Sequence, residues 1–333
     1  MNIFKNDLLD FELVYKDVLD IPDWVKFGIE IEFSDAKIDD VRRVINKNFV
    51  NGENLPWVVK GDASVRTEIF LRNSRKNIYQ NMDASWDDPR DLEVLCEHET
   101  IVCGGEVNTP ILTDTLECWR SLRKACSLLR CVDNISINDK CSVHFHTDDS
   151  IFKNQIQLFR FLKIWMLYED IIYRFGYGIK NFPRSTIMKY AKPINEIIFN
   201  NLSDPKIFDV LGGDRRVGFN LSNVLKKSGK STYEDRVCNG SLYEVIIQNS
   251  FEFFIRLKLL CRNESFDWDF IDYKVSHFSP IAFASFINED CVRANELSSM
   301  VYKNEYDRLR FMKQYLKSFD DNDIRGFEKV YYL

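Results

Sequence analysis

The segment Phe27-Gly28-Ile29-Glu30-Ile31-Glu32-Phe33 alternates apolar and acidic residues with a period of two, and Cys141-Ser142-Val143-His144-Phe145-His146 repeats the pattern with imidazoles. Successive side chains of a strand point to opposite faces, so this spacing predicts two β-strands, each with a pair of metal-type ligands on a single side. Carboxylates at positions i and i+2 lie roughly 6.5 Å apart along a strand. Beside apolar neighbours they repel one another and lose hydration unless something cationic lies between or over them. The chain holds four histidines (His98, His144, His146, His277), and two of them fall one residue apart. A divalent-metal site built on a sheet follows from these two segments; the bland alternative is a pair of strands whose polar faces meet solvent.

Composition narrows the class. The 333 residues are 45% hydrophobic and 29% charged with 13 Gly and 8 Pro, the make-up of an ordered globular protein able to bury a large core. A net charge of −6 gives no global nucleic-acid signature. Nine scattered cysteines with no C-x-x-C fit neither a disulfide framework nor a zinc ribbon, which predicts a reduced, cytoplasmic setting. Cys96, His98 and Cys103 lack the spacing of a structural zinc site. The first residues lack the apolar core of a signal peptide, and the longest apolar helical stretch, 151–175, is broken by Lys153, Lys163, Glu169 and Asp170, so no membrane span is expected.

The periodicities predict an α+β fold with an antiparallel or mixed sheet. Strands are expected at 27–34, 56–60, 99–108, 142–147, 216–222 and 232–238. Helices are expected at 35–48, opened by Ser34 or Asp35, after a Thr113-Asp114 cap, at 151–175, in pieces up to about 210, at 241–262, and from Asn295 to Ser318 within a helical, aromatic-rich C-terminal region. Residues 66–98 read as a polar, irregular insertion. Gly229-Lys230-Ser231-Thr232 is not a P-loop, because Val224 stands where the first glycine is required and a strand follows.

The remaining polar marks fall beside strands in a set order. After Gly28-x-Glu30-x-Glu32 come Asp62-Ala63-Ser64, Gly104-x-Glu106-x-x-Thr109-Pro110, Cys141-x-x-His144-x-His146, Arg184 ahead of Tyr190-x-x-Pro193, Arg216-x-x-x-Asn220 and Glu234-x-Arg236. This order, over residues 27 to about 262, resembles the amidoligase family of carboxylate–amine ligases with the glutamine synthetase fold. The resemblance implies a glutamine synthetase-like core over 1–263 and a helical extension over 264–333. It implies an ATP-dependent, ADP-forming ligase that makes an amide through an acyl phosphate, with Mg²⁺ or Mn²⁺ held by Glu30, Glu32, Glu106, His144 and Glu234. Arg216, Arg236, His146 and Asp62 would be catalytic, and Arg184, Arg216, Asn220 and Arg236 would bind the nucleotide. The partners implied are small-molecule or peptide carboxylates and amines, with neither nucleic acid nor membrane, and a homo-oligomer is left open. Ser142 replaces a usual glycine, Asp235 stands where an aromatic or apolar residue is usual, and residues 66–98 enlarge the turn after Ser64.

Two other activities share these residues: a metal-dependent hydrolase that activates water and needs no ATP, and a binding protein that keeps the metal without turnover. On their own, Asp62 and Ser64 also read as turn formers, and Glu234 with Arg236 as an ion pair.

Overall fold

The computed structural model describes residues 3–49, 57–65, 67–70, 100–204, 206–225 and 231–319. The alternation around Glu30 and Glu32 produces β1 (Phe27–Lys37), an inner strand of an antiparallel sheet. Its neighbours are β4 (Thr100–Asn108), followed outward by β2 (Val58–Lys60), and on the other side β5 (Ser142–Asp148), β7 (Thr232–Asn239) and β6 (Phe219–Asn220). A short β3 (Thr67–Phe70) pairs with the far end of β4. The protein is therefore α+β with an antiparallel sheet.

One face of this sheet is mainly apolar. Ile29, Ile31, Phe33, Val107, Val143 and Phe145 are buried against α2 (Leu116–Leu129), α3 (Gln155–Gly176) and α8 (Glu244–Leu260). Phe251 of α8 sits 4.1 Å from Phe27 and 5.8 Å from Phe145 between ring centroids. Phe219 of β6 packs at 4.5 Å on Phe161 of α3. Each such ring contributes about 1.5–3 kcal/mol of apolar burial, which holds the sheet flat against the helices and leaves its other face free for polar groups.

Asp235 explains itself in this layer. The strand alternation that sends Glu234 and Arg236 forward sends Asp235 back, where it pairs with Lys258 of α8, both fully buried. The Lys258 ammonium lies 5.8 Å from the rings of Phe161, Phe219 and Phe254.

The C-terminal helices α9 (Trp268–Ser276), α10 (Cys291–Val301) and α11 (Glu305–Leu316) close over α3 and α8. A buried charge cluster fastens them: Glu252 of α8 pairs with Arg310 of α11, with Arg256 at 3.0 Å and with Lys16 of the N-terminal segment at 3.0 Å. The Asn295 side chain clasps the Ile3 backbone on both its N–H and its carbonyl. No helix among the described residues is long and apolar enough to cross a membrane.

Several boundaries differ from expectation. The first strand continues through Ser34 and Asp35 to Lys37, where Asp35 takes a positive φ of 64° in a bulge, so α1 (Ile38–Phe49) opens later than a cap at Ser34 or Asp35 would place it. Thr115, not Thr113 or Asp114, caps α2 by accepting from the Cys118 N–H. The Asp114 carboxylate instead accepts from the Trp119 indole and from the Leu19 and Ile21 N–H groups. The strand expected at 216–222 shrinks to two residues, and the final helix is two helices broken at 302–304. Of the 66–98 insertion, Thr67–Phe70 is a strand, and residues 66 and 71–98 lie outside the described ones.

Helix α3 departs from helical geometry at Tyr168, next to Glu169. That buried carboxylate accepts from Trp165 Nε1 at 2.7 Å, from the Ile194 and Asn195 backbone N–H groups at 2.7 and 2.8 Å, and from Asn195 Nδ2 at 2.7 Å. It thereby ties to α3 the stretch that follows Tyr190. Complete burial pushes the Glu169 carboxyl up to about 7 against those four donors. A folded-state value above the unfolded one contributes stability that is complete below about 4.5 and is lost as pH rises through about 7. The unfolding temperature should fall between about pH 4.5 and 7, and Glu169→Gln should remove that part of the slope. Thermal scans across this range check it, and parallel slopes in the two proteins would refute the assignment.

Candidate metal and substrate cleft

Register brings the polar residues together. Glu30 stands opposite His144 of β5, Glu32 opposite Glu106 of β4, and Lys60 of β2 opposite Glu106. On the other side His146 stands opposite Glu234 of β7, and Asn220 of β6 opposite Glu234. Directly opposed residues share a face, so all of these line one cleft of about 540 Å³ on the side of the sheet away from the aromatic core.

Within the cleft, the ligand atoms form two groups, Glu30 with His146 and Glu234, and Glu32 with Asp62 and Glu106; in each, one ligand atom per residue lies within 4.8 Å of the others. Asp62 reaches its group because two glycines let its turn settle onto β4. A Cβ on Gly105 would stand 2.4 Å from the Lys60 carbonyl oxygen, and one on Gly104, whose φ is +84°, 2.4 Å from that of Val65. The Asp62 carboxylate also accepts from the Ser64 N–H and hydroxyl, both at 2.6 Å, so it forms the turn and faces the cleft at once.

The two histidines take different places. His144 is buried, with Nε2 2.7 Å from the Ser142 hydroxyl and Nδ1 3.2 Å from Glu30 Oε2. His146 completes the first ligand group, with Nε2 3.2 Å from Glu30 Oε1 and 3.8 Å from Glu234 Oε1. An imidazole nitrogen set between two carboxylates is a donor set that suits a divalent cation. The resemblance assigned the ligand role to His144 and a nearby role to His146. Ser142, in place of the usual glycine, donates its N–H to Glu32 at 2.7 Å and adds a hydroxyl beside His144.

Charge in the cleft is partly met by protein cations. Burial works to raise the Glu30 carboxyl, and the two imidazoles more than reverse it, holding it well below its usual range. Burial likewise opposes ionisation of Glu234, whereas Arg236 and the imidazoles pull its carboxyl down. Glu106 ends raised, by burial and by the charge of Glu30, although Lys60 stands 2.6 Å away.

Arg236 pairs with Glu234 and donates Nε to the Tyr190 carbonyl at 2.9 Å. Arg216 is half-exposed and held by Asp214 at 3.1 Å. Arg184 is buried and spends its guanidinium on the Cys238 and Arg236 carbonyls, at 2.7 and 2.8 Å, which fastens its loop to β7. Asn220 donates to Glu234 at 2.7 Å, so here it orients a carboxylate. All eleven residues anticipated for the site line the one cleft. Sequence reading gave no site role to Lys60, Lys140, Ser142, Tyr190 or Arg215, which line it too. Lys60 carried a signal, two positions before Asp62 and in alternation with the buried Val59.

A sequence-family model described as "Putative amidoligase enzyme" matches residues 23–257. The chain belongs to the amidoligase family. The matched span takes in both ligand groups and most of α8, and membership points to an amide-bond-forming ligase. No curated protein and no solved structure matches the chain.

If the two groups are metal sites, removing ligands from both should weaken Mn²⁺ binding by at least about tenfold, a loss that outer-shell changes alone can cause. Titration of Mn²⁺ into the wild-type amidoligase and the Glu30→Gln/Glu32→Gln variant reads this directly. Equal affinities would sink the assignment.

Proposed function

We propose that the protein is an ATP- and Mg²⁺-dependent carboxylate–amine ligase that works through an acyl phosphate and releases ADP. The observation that carries this reading is the meeting, in one cleft, of two carboxylate-rich ligand groups with Lys60, Lys140, Arg184, Arg215, Arg216 and Arg236. A hydrolase needs only a metal and a water, whereas so many cations beside hard-metal ligands suit a polyphosphate.

Glu30, His146 and Glu234 would hold one Mg²⁺ or Mn²⁺, and Glu32, Asp62 and Glu106 another. Bound there, the ions would neutralise phosphate oxygens. Arg216, exposed at the cleft, and Arg236, fixed by Glu234 and Tyr190, are suited to gripping phosphate by paired N–H donors. Glu234 is in turn oriented by Asn220, so Arg236 and the ligand group form one preorganised wall. The acid's carboxylate oxygen attacks the γ-phosphorus and the bond to the β-phosphate breaks, releasing ADP. The amine then attacks the acyl carbon and phosphate departs.

Arg236→Lys keeps the charge and loses the fork, so ATP-dependent turnover should fall at least about tenfold with the fold intact by circular dichroism. Unchanged turnover would remove Arg236 from the mechanism.

The activated acid should be trapped by hydroxylamine. A screen of amino-acid and peptide carboxylates with ATP, Mg²⁺ and hydroxylamine should find one that gives a hydroxamate with one ADP per product. AMP and pyrophosphate as products, or hydroxamate at the same rate without ATP, would transfer the protein to another reaction class.

A further inference from the structure

A second cavity of about 540 Å³ lies where β1 begins and β4 and β5 end, and among the described residues it shares Glu30 and His146 with the cleft. The two differ in character. Among the described residues the cleft carries six lysines and arginines, whereas the second cavity has one, the exposed Lys26, together with Glu30 and Asp148 and the apolar Pro110 and Ile111. Asn108 also lines it, and its side-chain oxygen is buried with no hydrogen-bond partner among the described residues. Gly28 helps open the space: a Cβ there would meet Thr109 Oγ1 at 3.7 Å and the His146 Cβ at 3.9 Å, ordinary contacts that would fill the cavity without a clash.

We infer that this second cavity seats the amine substrate, and that this amine is carried on an apolar body rather than being ammonia. The inference rests on the ligase reading above. Of the three reactants, ATP and the acid are anions and belong with the cations of the cleft. An amine is a cation before it reacts and a hydrogen-bond donor throughout, and it meets two carboxylates and an unpartnered acceptor in the second cavity. Ammonia would occupy about the share of one water, ~30 Å³. The cavity instead has the size of a whole small-molecule site with apolar walls and few polar groups. Glu30 and His146 stand between the two spaces, so an amine entering from this side meets an acyl phosphate held on the other. The ammonium first gives one proton to solvent, which frees its lone pair; the nitrogen–carbon bond then forms as the carbon–oxygen bond to phosphate breaks, the electron pair leaves on phosphate, and the departing phosphate takes up the second amine proton.

Saturation-transfer NMR on the full chain, with isoamylamine, ammonium chloride, isovalerate and adenosine as probes, tests this. Ile111 is 65% exposed, so Ile111→Arg should leave the core intact while bringing a cation to the cavity; Gly28→Val fills it. Isoamylamine should bind the wild type and lose at least tenfold in affinity in each variant, with the isovalerate signal unaffected. Isoamylamine signals that are equal in all three proteins, or absent from the wild type, would overturn the inference, as would adenosine being the probe lost in the variants. Hydroxylamine trapping in wild type and Ile111→Arg separates the two levels of the argument. Trapping that works alongside unaltered isoamylamine binding defeats the amine site alone. No trapping alongside variant-sensitive isoamylamine binding defeats the ligase reading and keeps the amine site.

Discussion

Four carboxylates on one face of a sheet, with Asp62 brought to them by its turn, repel one another, and the molecule is arranged around making that repulsion tolerable. The opposite face is sealed by aromatic packing, so the strands cannot turn or slip to carry the acids into solvent: a one-residue slip would bring Glu30 and Glu32 into the ring cluster around Phe251 and put Ile29 and Ile31 in the cleft. With register fixed in this way, relief has to come from cations. Lys60 meets Glu106, the imidazoles meet Glu30, and Arg236 meets Glu234, whereas Glu32 receives the Ser142 N–H. These partners leave the two groups of ligand atoms within 4.8 Å suited to small, doubly charged ions.

Strand β7 shows how the two faces depend on each other. Glu234 and Arg236 point into the cleft and Asp235 points behind it, and Asp235 is matched by the buried Lys258 of α8. An apolar residue at 235 would pack against the same helix without cost. An acid there requires the lysine, because an unpaired buried charge is strongly destabilising. The pair fixes β7 against α8 at the strand position that separates a ligand from an arginine. The long side chain of Lys258 meanwhile lies among three phenylalanines that also support β6 and Asn220.

Distant parts of the chain stabilise the same layer. The N-terminal segment reaches α8 and α11 through Lys16, and it reaches the start of α2 through the Leu19 and Ile21 N–H groups on Asp114. Glu252 gathers Lys16, Arg256 and Arg310 in the interior. Helix α8 therefore has one side on the sheet's aromatic face and another in a charge cluster that the C-terminal helices and N-terminal segment complete.

Local pattern alone determined the alternation at 27–33 and 141–146, and with it the pairing of Glu30 with Glu32 and of His144 with His146 on shared faces. Strand periodicity is a property of neighbouring residues and needs no partner. The ordered motifs likewise brought Asp62, Glu106, Arg184, Arg216, Asn220, Glu234 and Arg236 into one cleft. Tertiary structure decided what depends on register and loop docking. It brought both imidazoles to Glu30 and Glu234, His144 at 3.2 and 3.5 Å and His146 at 3.2 and 3.8 Å, because the carboxylates around a strand position are set by the neighbouring strands. It set Lys60 on Glu106 and gave Asp235 its partner on α8, and it extended β1 through a bulge at Asp35 where the local signal suggested a helix cap. Each of these is a contact between residues far apart in the chain, and the physical reason they escape sequence reading is that their energy appears only once the backbone has closed the distance.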